Sequence, residues 1–172
     1  MGRRGNPDWE HIVPELVGKC NIRATLPDPL SNAKTKPSIT EFAVVRTATT
    51  LFGTLKYPSR EEWLLDMLPK GGPNVLAGHS WGGGAAARFA VAHPDAVSHL
   101  VLISPDVENS VAQQLKCPTL LIWNKWDPIN PYLWTRRFRG HPNLTLHTTK
   151  EGGHMIIDAH AQVIADWLKS QL

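Results

Sequence analysis

Apolar residues along this chain recur at helical spacing in some stretches and in short unbroken runs in others. Trp9, Ile12, Val13, Leu16 and Val17 form one helical stripe, which Asn6 caps, Pro7 opens and Asp8 favours by its charge. Pro14 lies inside that stripe and is expected to kink or shorten the helix. Residues 20–26 predict a strand closed by Pro27-Asp28-Pro29, and residues 27–38 a loop. Residues 42–52 are rich in β-branched side chains and favour a strand, while their Ala and Leu leave a helix open. Ser59 and Glu62 form a capping box ahead of a stripe of Trp63, Leu64, Met67 and Leu68, which Gly71-Gly72-Pro73 ends.

The second half is more regular. A strand at 74–77 leads into a small-residue helix running to about His93-Pro94, with Ala85, Ala86, Phe89 and Ala90 facing inward. Strands at 99–104, 119–123 and 144–149 follow, with a short connection at 105–117 and a helix at 132–139 between them. Val163, Ile164, Trp167 and Leu168 mark a closing helix. The run Leu100-Val101-Leu102-Ile103 has no polar alternation, as in a strand buried on both faces of a parallel sheet. Strand alternating with helix predicts an α/β fold: a mostly parallel twisted sheet with helices on both faces, in one domain spanning residues 1–172.

Composition narrows the class without naming a chemistry. With 42% apolar and 19% charged residues among 172, the chain is a globular protein able to bury a core. The net charge of +3 is scattered apart from Arg3-Arg4 and Arg136-Arg137-Arg139. Without aromatic interleaving these are read as solvated faces, so no nucleic-acid partner is expected. Cys20 and Cys117 have no metal-knuckle or redox spacing, each precedes a strand, and each is expected to be a small buried thiol. No ligand spacing for a metal and no phosphate loop is present, so no cofactor is expected. No apolar run reaches membrane-spanning length, and the first residues lack a signal-peptide core, so no membrane association and a cytoplasmic location are expected.

The strand at 74–77 runs into Gly78-His79-Ser80-Trp81-Gly82-Gly83-Gly84, a Gly-x-Ser-x-Gly motif between a strand and a helix. A serine there sits on a sharp turn with its hydroxyl projecting from the sheet edge. Gly78 and Gly82 are expected to be required because a Cβ at either would crowd the turn. The helix N-terminus beneath Ser80 favours the anion that forms when the hydroxyl attacks a carbonyl. Such a serine needs a base, a carboxylate to orient that base, and oxyanion donors. Asp127 follows the third strand and His154 the fourth, which places both at the same sheet edge as Ser80. Asp106, after the preceding strand, competes with Asp127 for the acid, and an Asp before Pro128 also suits a plain turn. Trp81 and Trp126 flank these positions, and His79 and Trp126 are the candidates for a substrate pocket.

These motifs resemble a small, capless member of the α/β-hydrolase superfamily. The resemblance rests on Gly78-His79-Ser80-Trp81-Gly82-Gly83, on Cys117-Pro118-Thr119-Leu120-Leu121-Ile122-Trp123 with Asp127-Pro128-Ile129-Asn130-Pro131, and on Glu151-Gly152-Gly153-His154. The segments Asn6-Pro7-Asp8-Trp9 and Leu26-Pro27-Asp28 are similar to the family's first helix and the strand after it. It implies Ser80 as nucleophile, His154 as general base, Asp127 as its orienter and the Trp81 backbone N–H as one oxyanion donor.

Two departures from the family pattern bear on activity. Only twelve residues separate Ser104 from Cys117, too few for a lid domain, so small or exposed acyl groups are expected as substrates. The family's second oxyanion donor follows a strand ahead of the first helix, whereas Met1 here falls directly on the corresponding loop, 2–5. Either the chain is N-terminally shortened or another segment, with residues 42–52 the candidate, fills the place; an unfilled one would leave backbone groups costing about 1–3 kcal/mol each. The expected function is hydrolysis of a small carboxylic ester, thioester or amide through an acyl-enzyme on Ser80. The alternative is a catalytically silent hydrolase-fold protein that serves as a binding or interaction module.

Overall fold

A computed structural model of the protein describes residues 74–155 and 160–171, together with Pro14 and Leu68. The elements predicted over residues 6–73 lie outside the described residues, apart from Pro14, which is helical, and Leu68, which packs on the core.

Strand β1 (Asn74–His79) passes without a break into helix α1 (Ser80–Ala92). A 3-10 turn at Pro94–Ala96 leads to β2 (Val97–Ile103), then a four-residue helix α2 (Asn109–Ala112) and β3 (Thr119–Asn124). A 3-10 segment (Tyr132–Phe138), β4 (Leu144–Thr149) and helix α3 (Ala161–Gln171) complete the order. The predicted helix at 132–139 is thus a 3-10 segment, and β2 begins two residues earlier than its apolar run suggests, because the turn at Pro94–Ala96 hands the chain directly to Val97.

The four strands among the described residues are parallel, in the order β1-β2-β3-β4. The two inner strands explain the unbroken apolar runs, since Leu100–Ile103 and all of β3 are buried. Register then divides their side chains between the faces of the sheet. Leu102 aligns with Leu121, and this face carries α1, α2 and Phe138. Val101 aligns with Leu120 and Ile103 with Ile122, and that face is covered by Ile164, Ala165, Trp167 and Leu168 of α3. Helices therefore cover both faces. The small residues of α1 let its backbone lie close to β1 and β2, and Phe89 is its largest buried side chain. The indole of Trp167 donates to the Thr145 hydroxyl at 3.2 Å, which ties α3 to the outer strand β4.

The crossover from β2 to β3 holds only α2 and its flanking turns, so no lid is inserted there. Of the two cysteines only Cys117 is described; it is half-buried, and burial raises its thiol pKa. Among the described residues no helix is long and apolar enough to cross a membrane.

Candidate active site

Parallel strands all point their carboxyl ends to one edge, where Ser80 follows β1 directly and the loops leaving β3 and β4 carry Asp127 and His154. Ser80 has φ +53°, a left-handed conformation that costs a non-glycine residue about 1–2 kcal/mol. Strand and helix abut at this residue with no loop to absorb the turn, so it is concentrated there. His79 occupies the N-cap position without a side-chain cap bond. The first N–H groups of a helix have no intrahelical partner, and the Trp81 N–H is one of them.

The glycines around the turn divide differently from the sequence expectation. A Cβ at Gly78 would collide with the carbonyl of Gly82, as expected. A Cβ at Gly82 meets nothing within 4 Å among the described residues, so this glycine is not required to clear the turn. The tight positions lie further on. A Cβ at Gly83 would press on Pro105, and one at Gly84 would collide with the Asp106 carbonyl.

Asp127 and His154 meet directly. Asp127 Oδ2 lies 2.7 Å from His154 Nδ1, with the Asp127 side chain wholly buried and that of His154 8% exposed. The other carboxylate oxygen, Oδ1, accepts the backbone N–H groups of Ile129 (2.8 Å) and Asn130 (2.9 Å). Both oxygens are therefore engaged, which a buried carboxylate requires. His154 is held from behind as well: His79 Nε2–H donates to its carbonyl at 2.9 Å, and the two rings stack obliquely 4.6 Å apart. A carboxylate on Nδ1 keeps the proton there and leaves Nε2 as the basic nitrogen. Ser80 Oγ makes no hydrogen bond to His154 among the described residues, a contact that is often loose before substrate arrives.

Asp106 takes another part. It is buried, and its backbone N–H donates to the Ser80 carbonyl at 2.9 Å. Asp127, not Asp106, holds the histidine ring. His79, a pocket candidate, is committed to the His154 carbonyl, and Trp126 is 72% exposed beside Asp127. Trp81 is half-buried.

Two buried asparagines went unremarked in the sequence. Asn124 accepts the Trp126 N–H at 2.6 Å and donates to the Glu151 carbonyl at 2.5 Å, which joins the loop of Asp127 to the loop of His154. Asn130 donates to the Ser104 carbonyl at 2.7 Å and accepts the Trp123 indole N–H at 2.9 Å. The local Asx turn belongs to Asp127, whose Oδ1 accepts the N–H groups two and three residues on, so nothing nearby in sequence pointed to the Asn130 side chain.

Behind the elbow lies a set of buried charges. Arg88 of α1 pairs with Glu108 at 3.2 Å. Arg137 donates to the Val107 carbonyl at 2.6 Å and stacks 3.9 Å over Trp134. Burial lowers the Arg137 pKa, while the Asp106 and Glu108 carboxylates work against that shift. Arg136 and Arg139 are solvated as expected, but Arg137 belongs to the packing. Among the described residues no group of three or more His, Cys, Asp or Glu is placed to hold a metal ion.

Comparison with known proteins agrees with the fold. The family model described as alpha/beta hydrolase fold matches residues 2–115, more than half of the chain and including Ser80. The chain is similar to a structure titled a predicted CIB-like hydrolase from Thermoplasma acidophilum, at TM-score 0.58 and 20% identity over 64% of this chain. It spans 58% of the length of that protein. It is also similar to the monoacylglycerol lipase of Paleococcus ferrophilus (TM-score 0.57, 17% identity, 65% of this chain and 74% of that one). A serine hydrolase involved in carbazole degradation matches at TM-score 0.58 and 15% identity, over 67% of this chain and 71% of that one. Likeness at these identities is likeness of fold.

Proposed function

The chain belongs to the alpha/beta hydrolase fold family, a family of hydrolases, and we propose that it is a serine hydrolase working through an acyl-enzyme on Ser80. The observation that carries the reading is the buried Asp127–His154 contact of 2.7 Å at the same sheet edge as the strained Ser80. In this reading Ser80 Oγ attacks the substrate carbonyl while His154 Nε2 takes the hydroxyl proton. Asp127 keeps the imidazolium oriented, and the Trp81 N–H receives the oxyanion. Collapse of the tetrahedral intermediate expels the leaving group, which takes the proton from His154. Water then attacks the acyl-enzyme by the same route in reverse, releasing the carboxylic acid and restoring Ser80.

The substrate class is a small carboxylic ester, thioester or amide, because the β2–β3 crossover carries no lid to enclose a long chain. Trp126, exposed next to the acid, is the candidate side chain to contact it. Labelling with a fluorophosphonate tests the reading: wild-type protein takes the label on Ser80 and Ser80→Ala does not. A folded wild type that takes no label would overturn it and favour a silent binding module.

A further inference from the structure

Four hydrogen bonds place Asn130 between the nucleophile and the acid. Ser104, at the end of β2, has φ +41°, unusual for a serine, and its carbonyl accepts Asn130 Nδ2–H at 2.7 Å. Two residues on, the Asp106 N–H holds the Ser80 carbonyl at 2.9 Å. On the other side, the Asn130 N–H binds Asp127 Oδ1 at 2.9 Å, and its carbonyl accepts the Trp123 indole at 2.9 Å. Asn130 is 1% exposed, so water does not substitute for these partners. A continuous path thus runs from the Ser80 carbonyl through residues 104–106 and Asn130 to Asp127, and on to the His154 ring.

We propose that Asn130 is a positioning residue, which registers the Asp127 carboxylate against the nucleophile by anchoring the acid's turn to the end of the nucleophile's neighbouring strand. Ile129 and Asn130 donate to Asp127 through their backbones, so a change of the Asn130 side chain does not remove those donors. It removes the tie that fixes where the donors stand. A turn that drifts carries Oδ2 away from His154 Nδ1, and the ring loses the contact that keeps its proton on Nδ1. Neutral imidazole left to itself prefers the proton on Nε2, the nitrogen that must be free to act as base.

The proposal rests on reading Ser80, Asp127 and His154 as a triad, and its test has an arm that does not depend on activity. The His154 ring tautomer is read from nitrogen chemical shifts of protein labelled with ¹⁵N-histidine, in wild type, Asn130→Ala and Ile164→Val, the last a change in the core beneath α3 that leaves the Asn130 hydrogen bonds in place. Wild type and I164V are expected to hold the Nδ1–H form, and N130A to move toward Nε2–H. Fluorophosphonate labelling of N130A is expected to slow about 10- to 100-fold, the scale of a misplacement near 1 Å. On an ester substrate the loss falls on kcat, with KM unchanged. If N130A does not fold, Asn130→Ser, whose hydroxyl is too short to reach Ser104, takes its place with the same expectations. An unchanged tautomer in a folded variant overturns the proposal, and so does slower labelling with the tautomer intact. A wild type that takes no label defeats the triad reading alone, since the tautomer still decides the role of Asn130.

Discussion

Ser80 and Ser104 stand side by side at the ends of neighbouring strands, each one residue past the aligned pair His79 and Ile103, and each at positive φ. They are the two non-glycine residues with this conformation among the described residues. The strain has a different use at each. At Ser80 it sharpens the turn from strand to helix. At Ser104 it directs the carbonyl toward Asn130, while the Ser104 hydroxyl is buried with no partner among the described residues.

Ser104→Gly is therefore expected to stabilise the protein. It removes about 1–2 kcal/mol of backbone strain and an unpaired buried hydroxyl, against a chain-entropy cost near 1 kcal/mol. A net gain of about 1 kcal/mol raises Tm by roughly 2–4 °C, measurable by thermal unfolding.

Gly84→Ala and Gly82→Ala, two residues apart on the same helix, are expected to act in opposite directions. The first drives a methyl group into the Asp106 carbonyl and costs about 1–3 kcal/mol. The second places a methyl where nothing among the described residues lies within 4 Å, and gains up to about 1 kcal/mol of helix propensity. Urea unfolding midpoints on either side of wild type are the expected outcome.

Asp127→Asn keeps an acceptor for the Ile129 and Asn130 N–H groups but turns an N–H toward His154 Nδ1. That donor favours the wrong tautomer, and turnover is expected to fall about 10⁴-fold with the fold retained. Ester hydrolysis and circular dichroism on the same preparation separate the two effects.

Stability is expected to fall as pH drops below about 6.5. Burial, with His147 5.2 Å away between ring centroids, holds the His160 pKa below its ordinary value of 6.5. Between the ordinary value and the depressed one the unfolded chain binds a proton that the folded chain refuses, so stability rises with pH through that window and is level above it. Burial also lowers the pKa of His99 and His141, which adds to the same slope. Unfolding free energy measured from pH 7.5 downward should decline, and His160→Phe should decline less.

In a series of p-nitrophenyl esters, kcat/KM is expected to be highest for short acyl chains, since nothing between β2 and β3 encloses a long one. A rise toward long chains would contradict the proposed substrate class.

The strands and the shared sheet edge of Ser80, Asp127 and His154 were legible because their signals are local. Four apolar runs and a Gly-x-Ser-x-Gly motif need no knowledge of what lies across the molecule. Gly82 misled for the same reason, since the motif marks it while the open space around its Cβ position exists only in three dimensions. Gly84, just past the motif, was missed because the atom it must clear belongs to Asp106, 22 residues away. Asn124 and Asn130 were missed likewise: their partners Glu151 and Ser104 lie 27 and 26 residues distant. Arg137 read as one of three solvated arginines until Val107 and Trp134 closed on it.

The crossover after β2 is the place where a relative with a cap would carry its extra domain, and here its first residues already serve as scaffolding. Pro105 and Asp106 press against Gly83 and Gly84, Asp106 clasps the Ser80 carbonyl, and Glu108 grips Arg88. Length can vary only beyond that clasp, at the exposed Asn109 and Ser110, ahead of the buried Ala112 and Leu115. A cap grafted onto this framework would have to be spliced there, so the entrance could be remodelled while the turn at Ser80 stayed untouched.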